Sequence, residues 1–151
     1  MALTLAEANR IVEGAIAHAQ ELNIKINVAV CDAGGRLVAF NRMDGAIWGG
    51  VYGSQGKAVA AAAFGRTSGA LQERADTPII KGILAAEGGH GIPSQGGVPI
   101  IRNGMVDGAV GVGGGSSQED EDCANAGVGR LESAPGAAEA GSSPTANLVG
   151  C

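Results

Sequence analysis

Glu87 and His90 stand three residues apart in the stretch AAEGGHGIPSQGG, and together they carry the acid–base chemistry most available to this chain. Histidine titrates near neutral pH, so it suits proton transfer or axial ligation of an iron. A nearby carboxylate orients such a ring. The flanking glycines let the backbone approach a ligand, although an exposed loop histidine would have the same neighbours. Lys57 follows a glycine-rich segment and is the only charged residue of an alanine-rich helix spanning 57–64. A cation there binds a carboxylate, or acts as a base if desolvation lowers its pKa. It equally fits a lysine that snorkels to the surface. Arg42 and Asp44, in NRMDGA, follow an apolar run. The planar guanidinium fork of Arg42 suits a carboxylate, and an Arg–Asp surface pair is the plainer alternative.

His18 lies at the edge of the apolar stripe of the first helix, where it can meet a partner chain. Trp48 and Tyr52 are four apart and share a face if their segment is helical. They then wall a pocket and stack on a planar ligand, or serve as core or dimer contacts. The spacing offers no metal site: it contains no His-x3-His, no HExxH and no cysteine pair at ligand separation. The run Glu119 to Asp122 turns its four acids in different directions on a helix, and most of it reads as a solvated first turn favourable to the dipole.

These residues must be positioned by elements that the pattern also announces. LTLAEANRIVEGAIAHAQEL opens on a capping box, Thr4 with Glu7, and continues with Leu5, Ala8, Ile11, Val12 and Ala15 on one helical face. Residues 26–31 and 36–42 form a hairpin around Ala33-Gly34-Gly35. A second hairpin turns at Asn103-Gly104, a pair suited to a type I′ turn. A glycine-studded helix leads into Lys57–Phe64, a short helix starts at Thr67 or Ser68, and residues 76–96 read as loop and turns. Ser116 or Ser117 caps a last helix from about Gln118 to Leu131. The order is α-β-β-α-α-β-β-α, which predicts an α+β domain with a central antiparallel sheet and helices packed on it. It occupies residues 1–131. Residues 132–151 are an Ala/Gly/Ser/Pro-rich tail by composition, and Leu148-Val149 would anchor it on a neighbouring subunit.

The chain has 151 residues and a net charge of −5, without a basic cluster. That excludes the usual nucleic-acid binders. No apolar run approaches a membrane span. The cysteines, Cys31, Cys123 and Cys151, form no C-x-x-C, and no signal-peptide pattern opens the sequence, so the expected compartment is the cytoplasm. The glycine-rich GAVGVGGGSS lacks the Gly-Lys-Ser/Thr end of a phosphate loop. Its glycines are expected to make room beside a pocket or a subunit contact.

VAVCDAGGRLVAFNRMDGA, KAVAAAAFGRTS and GGVPIIRNGMVDGAVGVGGGSSQEDEDCANAG resemble the three signature segments of the GlcG/HbpS-like family, in the same order over about residues 3–130. That family includes haem-binding uptake proteins and a domain of some corrinoid adenosyltransferases. The resemblance implies a compact α+β domain, assembly into dimers or larger homo-oligomers, and haem as the cofactor if there is one. It also favours ligand-binding roles for Lys57 and Arg42. The chain departs from the family at Gly113, where relatives often carry serine, and in the glycines preceding Lys57. Two functions follow. One is a module holding haem or another planar anionic small molecule, with Arg42 and Lys57 on its carboxylates, Trp48 and Tyr52 on its plane, and His90 or His18 on the iron. The other is a cofactor-independent lyase, isomerase or hydratase acting on a small organic acid, in which Lys57 and Arg42 bind substrate and His90 or Glu87 moves the proton. An oligomeric scaffold without a ligand is a third, weaker reading.

Overall fold

A computed structural model describes residues 2–132. The tail expected from residue 132, and its Leu148-Val149 anchor, lie outside them apart from Glu132, which ends the last helix. The elements are α1 (Leu5–Glu21), β1 (Asn27–Asp32), β2 (Leu37–Arg42), α2 (Gly49–Phe64), α3 (Ser68–Leu71) with a 3-10 turn at Gln72–Arg74, α4 (Pro78–Ala86), β3 (Gly97–Arg102), β4 (Met105–Gly113) and α5 (Ser117–Glu132). The two hairpins join through β1 and β4 into one antiparallel sheet of order β2-β1-β4-β3. The α+β class and the order of the expected elements are as read from the sequence, with one helix added between them.

One expectation is corrected: the stretch read as loop contains α4. Pro78 is its first residue, where the missing N–H costs nothing and the fixed φ suits a helix. The capping box at Thr4 forms in full, and Asn103 and Gly104 both take positive φ, 54° and 74°, as a type I′ turn requires.

Alternation along the strands gives the sheet two unlike faces. Val28 and Val30 of β1, with Val110 and Val112 of β4, meet Ile11, Ala15, Cys123 and Leu131 of α1 and α5 in the main core. The opposite face carries Cys31 and Ala109 against Ala58, Ala61 and Ala62 of α2. Gly111 and Gly113 belong to this second face. A side chain at Gly111 would strike the Ser54 carbonyl, and one at Gly113 would meet Gly50 at 3.4 Å. These glycines therefore admit α2 onto the sheet, rather than opening space beside a pocket as expected. α2 reciprocates with Gly50, where a side chain would strike Asn27, and it ends at Gly65 in the left-handed conformation with φ 64°.

Candidate functional site

The close seat of α2 leaves an open groove of about 890 Å³ between its outer side and the β1–β2 hairpin. Ala29, Cys31, Ala58 and Val59 are apolar lining from β1 and α2. Arg36 and Leu37 come from the hairpin, Tyr52 and Gln55 from α2, and Glu87, His90 and Ile92 from the chain after α4. Burial pushes the Cys31 thiol up to about 12, so it stays protonated and acts as an apolar surface.

The hairpin turn aims Arg36. Asp32 Oδ1 accepts from the backbone N–H groups of Gly34 and Arg36, both at 2.9 Å, and Gly35 takes a φ of +78°. The guanidinium Nη1 then donates to the Gly34 carbonyl at 3.0 Å and to Glu87 Oε1 at 2.8 Å. Glu87 is the C-cap residue of α4. Beyond it, Gly88 and Gly89 both turn left-handed at φ +77°, which reverses the chain and delivers His90 to the groove. His90 is exposed, and among the described residues nothing hydrogen-bonds its imidazole. Ile92 fixes the far end of this loop by donating its N–H to the Gly56 carbonyl at 2.8 Å.

Of the residues singled out in the sequence, the groove gathers Glu87, His90 and Tyr52. Lys57 turns the other way from α2: its ammonium donates to Asp120 Oδ2 at 3.0 Å and to the Val112 carbonyl at 2.9 Å, with 12% of the side chain exposed. Arg42 donates its Nε to the Ala46 carbonyl at 3.1 Å, beside the groove-free end of β2. His18 lies on α1, across the sheet from the groove, with Nδ1 3.6 Å from Glu21. Trp48 meets Tyr52 edge-on, ring centroids 6.4 Å apart, and both rings are 69% exposed.

Two participants escaped the sequence reading. Arg36, the groove's guanidinium, had been subsumed in the hairpin turn. Asp120 is 3% exposed, not part of a solvated acidic turn. Burial raises its carboxyl above the ordinary value, although the Lys57 ammonium and the Gly115 N–H pull the other way. The four acids of the α5 start could have been separated by phase, since one in four of a helical run faces the sheet.

An antiparallel sheet with helices on both faces and a groove beside the central helix defines a class of small α+β pocket domains. The family model described as "Haem degrading protein HbpS-like" matches residues 3–129, and the chain belongs to that family. Protein GlcG of Escherichia coli K12 is 33% identical over 108 residues, covering 70% of this chain and 76% of its own. The crystal structure of the Klebsiella pneumoniae protein ORFY superposes with a TM-score of 0.77 at 28% identity, covering 84% of this chain and 88% of that one. The crystal structure of a PduOC–haem complex superposes with a TM-score of 0.76 at 25% identity, covering 85% of this chain and 94% of that one.

Proposed function

We propose that this protein binds haem, or a similar planar anionic small molecule, in the groove between α2, the β1–β2 hairpin and the Glu87–Ile92 segment. The observation that carries the proposal is the donor set on that groove. Among the described residues, one imidazole without a hydrogen-bond partner, His90, stands beside an apolar lining and a single guanidinium, Arg36. Apolar walls with a few polar groups are the usual make-up of a small-molecule site. A porphyrin needs an apolar bed, an axial nitrogen and cations for its carboxylates, and these residues fit those needs. His90 would supply the axial nitrogen, and Tyr52 with Leu37 and Ile92 the apolar contact. Arg36, in place of Arg42 and Lys57, would take a carboxylate. The haem complex of the PduOC relative and the haem-related description of the family support the same reading.

Acid–base catalysis on a small organic acid draws less support. Lys57 and Arg42, assigned to hold its substrate, engage Asp120, Val112 and Ala46 instead. We also read the chain as a cytoplasmic homo-oligomer. The exposed apolar surface of Ile47 and Trp48, 67% and 69% accessible, supports the assembly.

Titration with hemin tests the main proposal. A saturable Soret band at micromolar hemin is expected, lost or strongly shifted in His90→Ala and retained in His18→Ala. Absence of any saturable band in the unaltered protein overturns it.

A further inference from the structure

A second cavity adjoins the groove beside the Arg36–Glu87 pair. A gap of about 310 Å³ lies under α4, between the Ala33–Gly35 turn, Ala63 of α2, and Ile83 and Leu84. Gly35, Val59, Ala86 and Glu87 line both cavities. The C-terminal half of α4 therefore bridges two spaces and rests on little. Of its nine residues only Ile80 is buried, packed with Ala60 and Leu71; in the C-terminal half Leu84 alone leans, half-buried, on the same cluster, whereas Ile79 and Ile83 are 60% and 39% exposed. On the other side of this segment, a side chain at Gly89 would meet nothing within 4 Å. The chain becomes fixed again at Ile92.

We propose that the C-terminal half of α4, together with the Glu87–Gly89 turn, is a flap on the groove. It opens by unwinding between Ile80 and Ile92, and the Arg36–Glu87 ion pair latches it. Underpacked elements with few buried contacts open at low cost, and two left-handed glycines give the hinge its freedom. The latch also defines what opens it. Glu87 occupies, on the groove's guanidinium, the place that a ligand carboxylate would take, so a carboxylate-bearing ligand competes with the flap for Arg36. This second step rests on the proposed binding reading; the latch itself does not.

Amide exchange and hemin binding separate the two. The N–H groups of Glu87, Gly88 and Gly89 donate to the carbonyls of Ile83, Ala85 and Leu84, so their exchange reports flap opening. At low salt, Glu87→Gln and Arg36→Ala should each speed exchange at these amides about two- to fivefold, the range an exposed ion pair supports. The double variant should be no faster than either single one. The amides of Ile92 and Val112 serve as fixed references. Unchanged exchange at residues 87–89 in both single variants overturns the latch. For hemin, Glu87→Gln should bind about two- to fivefold more tightly. Glu13→Gln, the same charge change on α1, should not, and the gain should vanish when Arg36 is alanine. Faster exchange without that gain overturns the competition and leaves the latch standing. If hemin binds no variant, the ligand reading and the competition fall together, and exchange alone still decides the latch.

Discussion

Lys57 and Asp120 are 63 positions apart in the chain, yet their contact is among the most buried polar ones in the molecule. Such a pair is weak evidence of net stabilisation, but halving it is costly because a buried charge loses its counter-charge. Lys57→Met should therefore cost about 3–5 kcal/mol at neutral pH by denaturant unfolding, and Lys57→Met/Asp120→Leu should recover much of it. The pH dependence has a definite sign. Burial raises the Asp120 carboxyl in the folded state. Between its ordinary value and that raised one the native protein keeps a proton that the unfolded chain has lost, so this group's contribution to stability falls as pH rises through the window. Removing the ammonium widens the window upward. The cost of Lys57→Met should thus shrink towards acid pH; a constant cost would refute this account of the pair. Nothing at position 57 or 120 announces the contact in the sequence, because it depends on the packing of α2 and α5 about β4. Glu7 shows both cases in one side chain. Its bond to the Thr4 N–H was legible from the three-residue spacing, whereas its 2.6 Å bond to Arg102, across 95 residues, was not.

At the scale of elements, hairpins and capped helices were legible because their signals are local. α4 is hidden in the sequence because Pro78, Gly82 and the Gly88-Gly89 pair suit a loop as well as a helix with marked ends. In fact Thr77-Pro78 is a start and Gly88 a stop, the asymmetry that marks helix ends. The glycines of α2 divide into two kinds that the sequence cannot tell apart. Gly50 and Gly56 lie where a side chain would strike Asn27 or Ile92, whereas Gly53 faces open space. Gly53→Ala should accordingly stabilise the protein by about 0.5–1 kcal/mol, as for a helical glycine with open space beside it. Gly111→Val, on the facing strand, should destabilise it by at least about 1–3 kcal/mol by forcing α2 off the sheet. Thermal unfolding of the two variants distinguishes them by sign. If Gly111→Val is neutral, α2 does not depend on the small-residue face.

Across the whole molecule, Arg102 joins α1 to the β3–β4 hairpin through Glu7 and Asp107, both at 2.6 Å. The exposed Ile47 and Trp48 leave an apolar surface at the start of α2, where monomers rarely tolerate one. By sedimentation or light scattering the protein should run as a homo-oligomer, and Ile47→Ser/Trp48→Ser should lower its mass. A monomeric parent would remove this surface from consideration as the interface. The unequal faces of the sheet have a further consequence. Branched side chains facing α1 and α5 hold the main core, while glycine and alanine on the other face fix α2 at one distance. The α2 backbone beside the groove is then a fixed datum, and selectivity for the proposed ligand changes through the side chains around it, Arg36, Leu37, Tyr52, Ile92 and the Glu87–His90 turn. Those residues lie outside the main core, so ligand preference can be altered with little effect on folding.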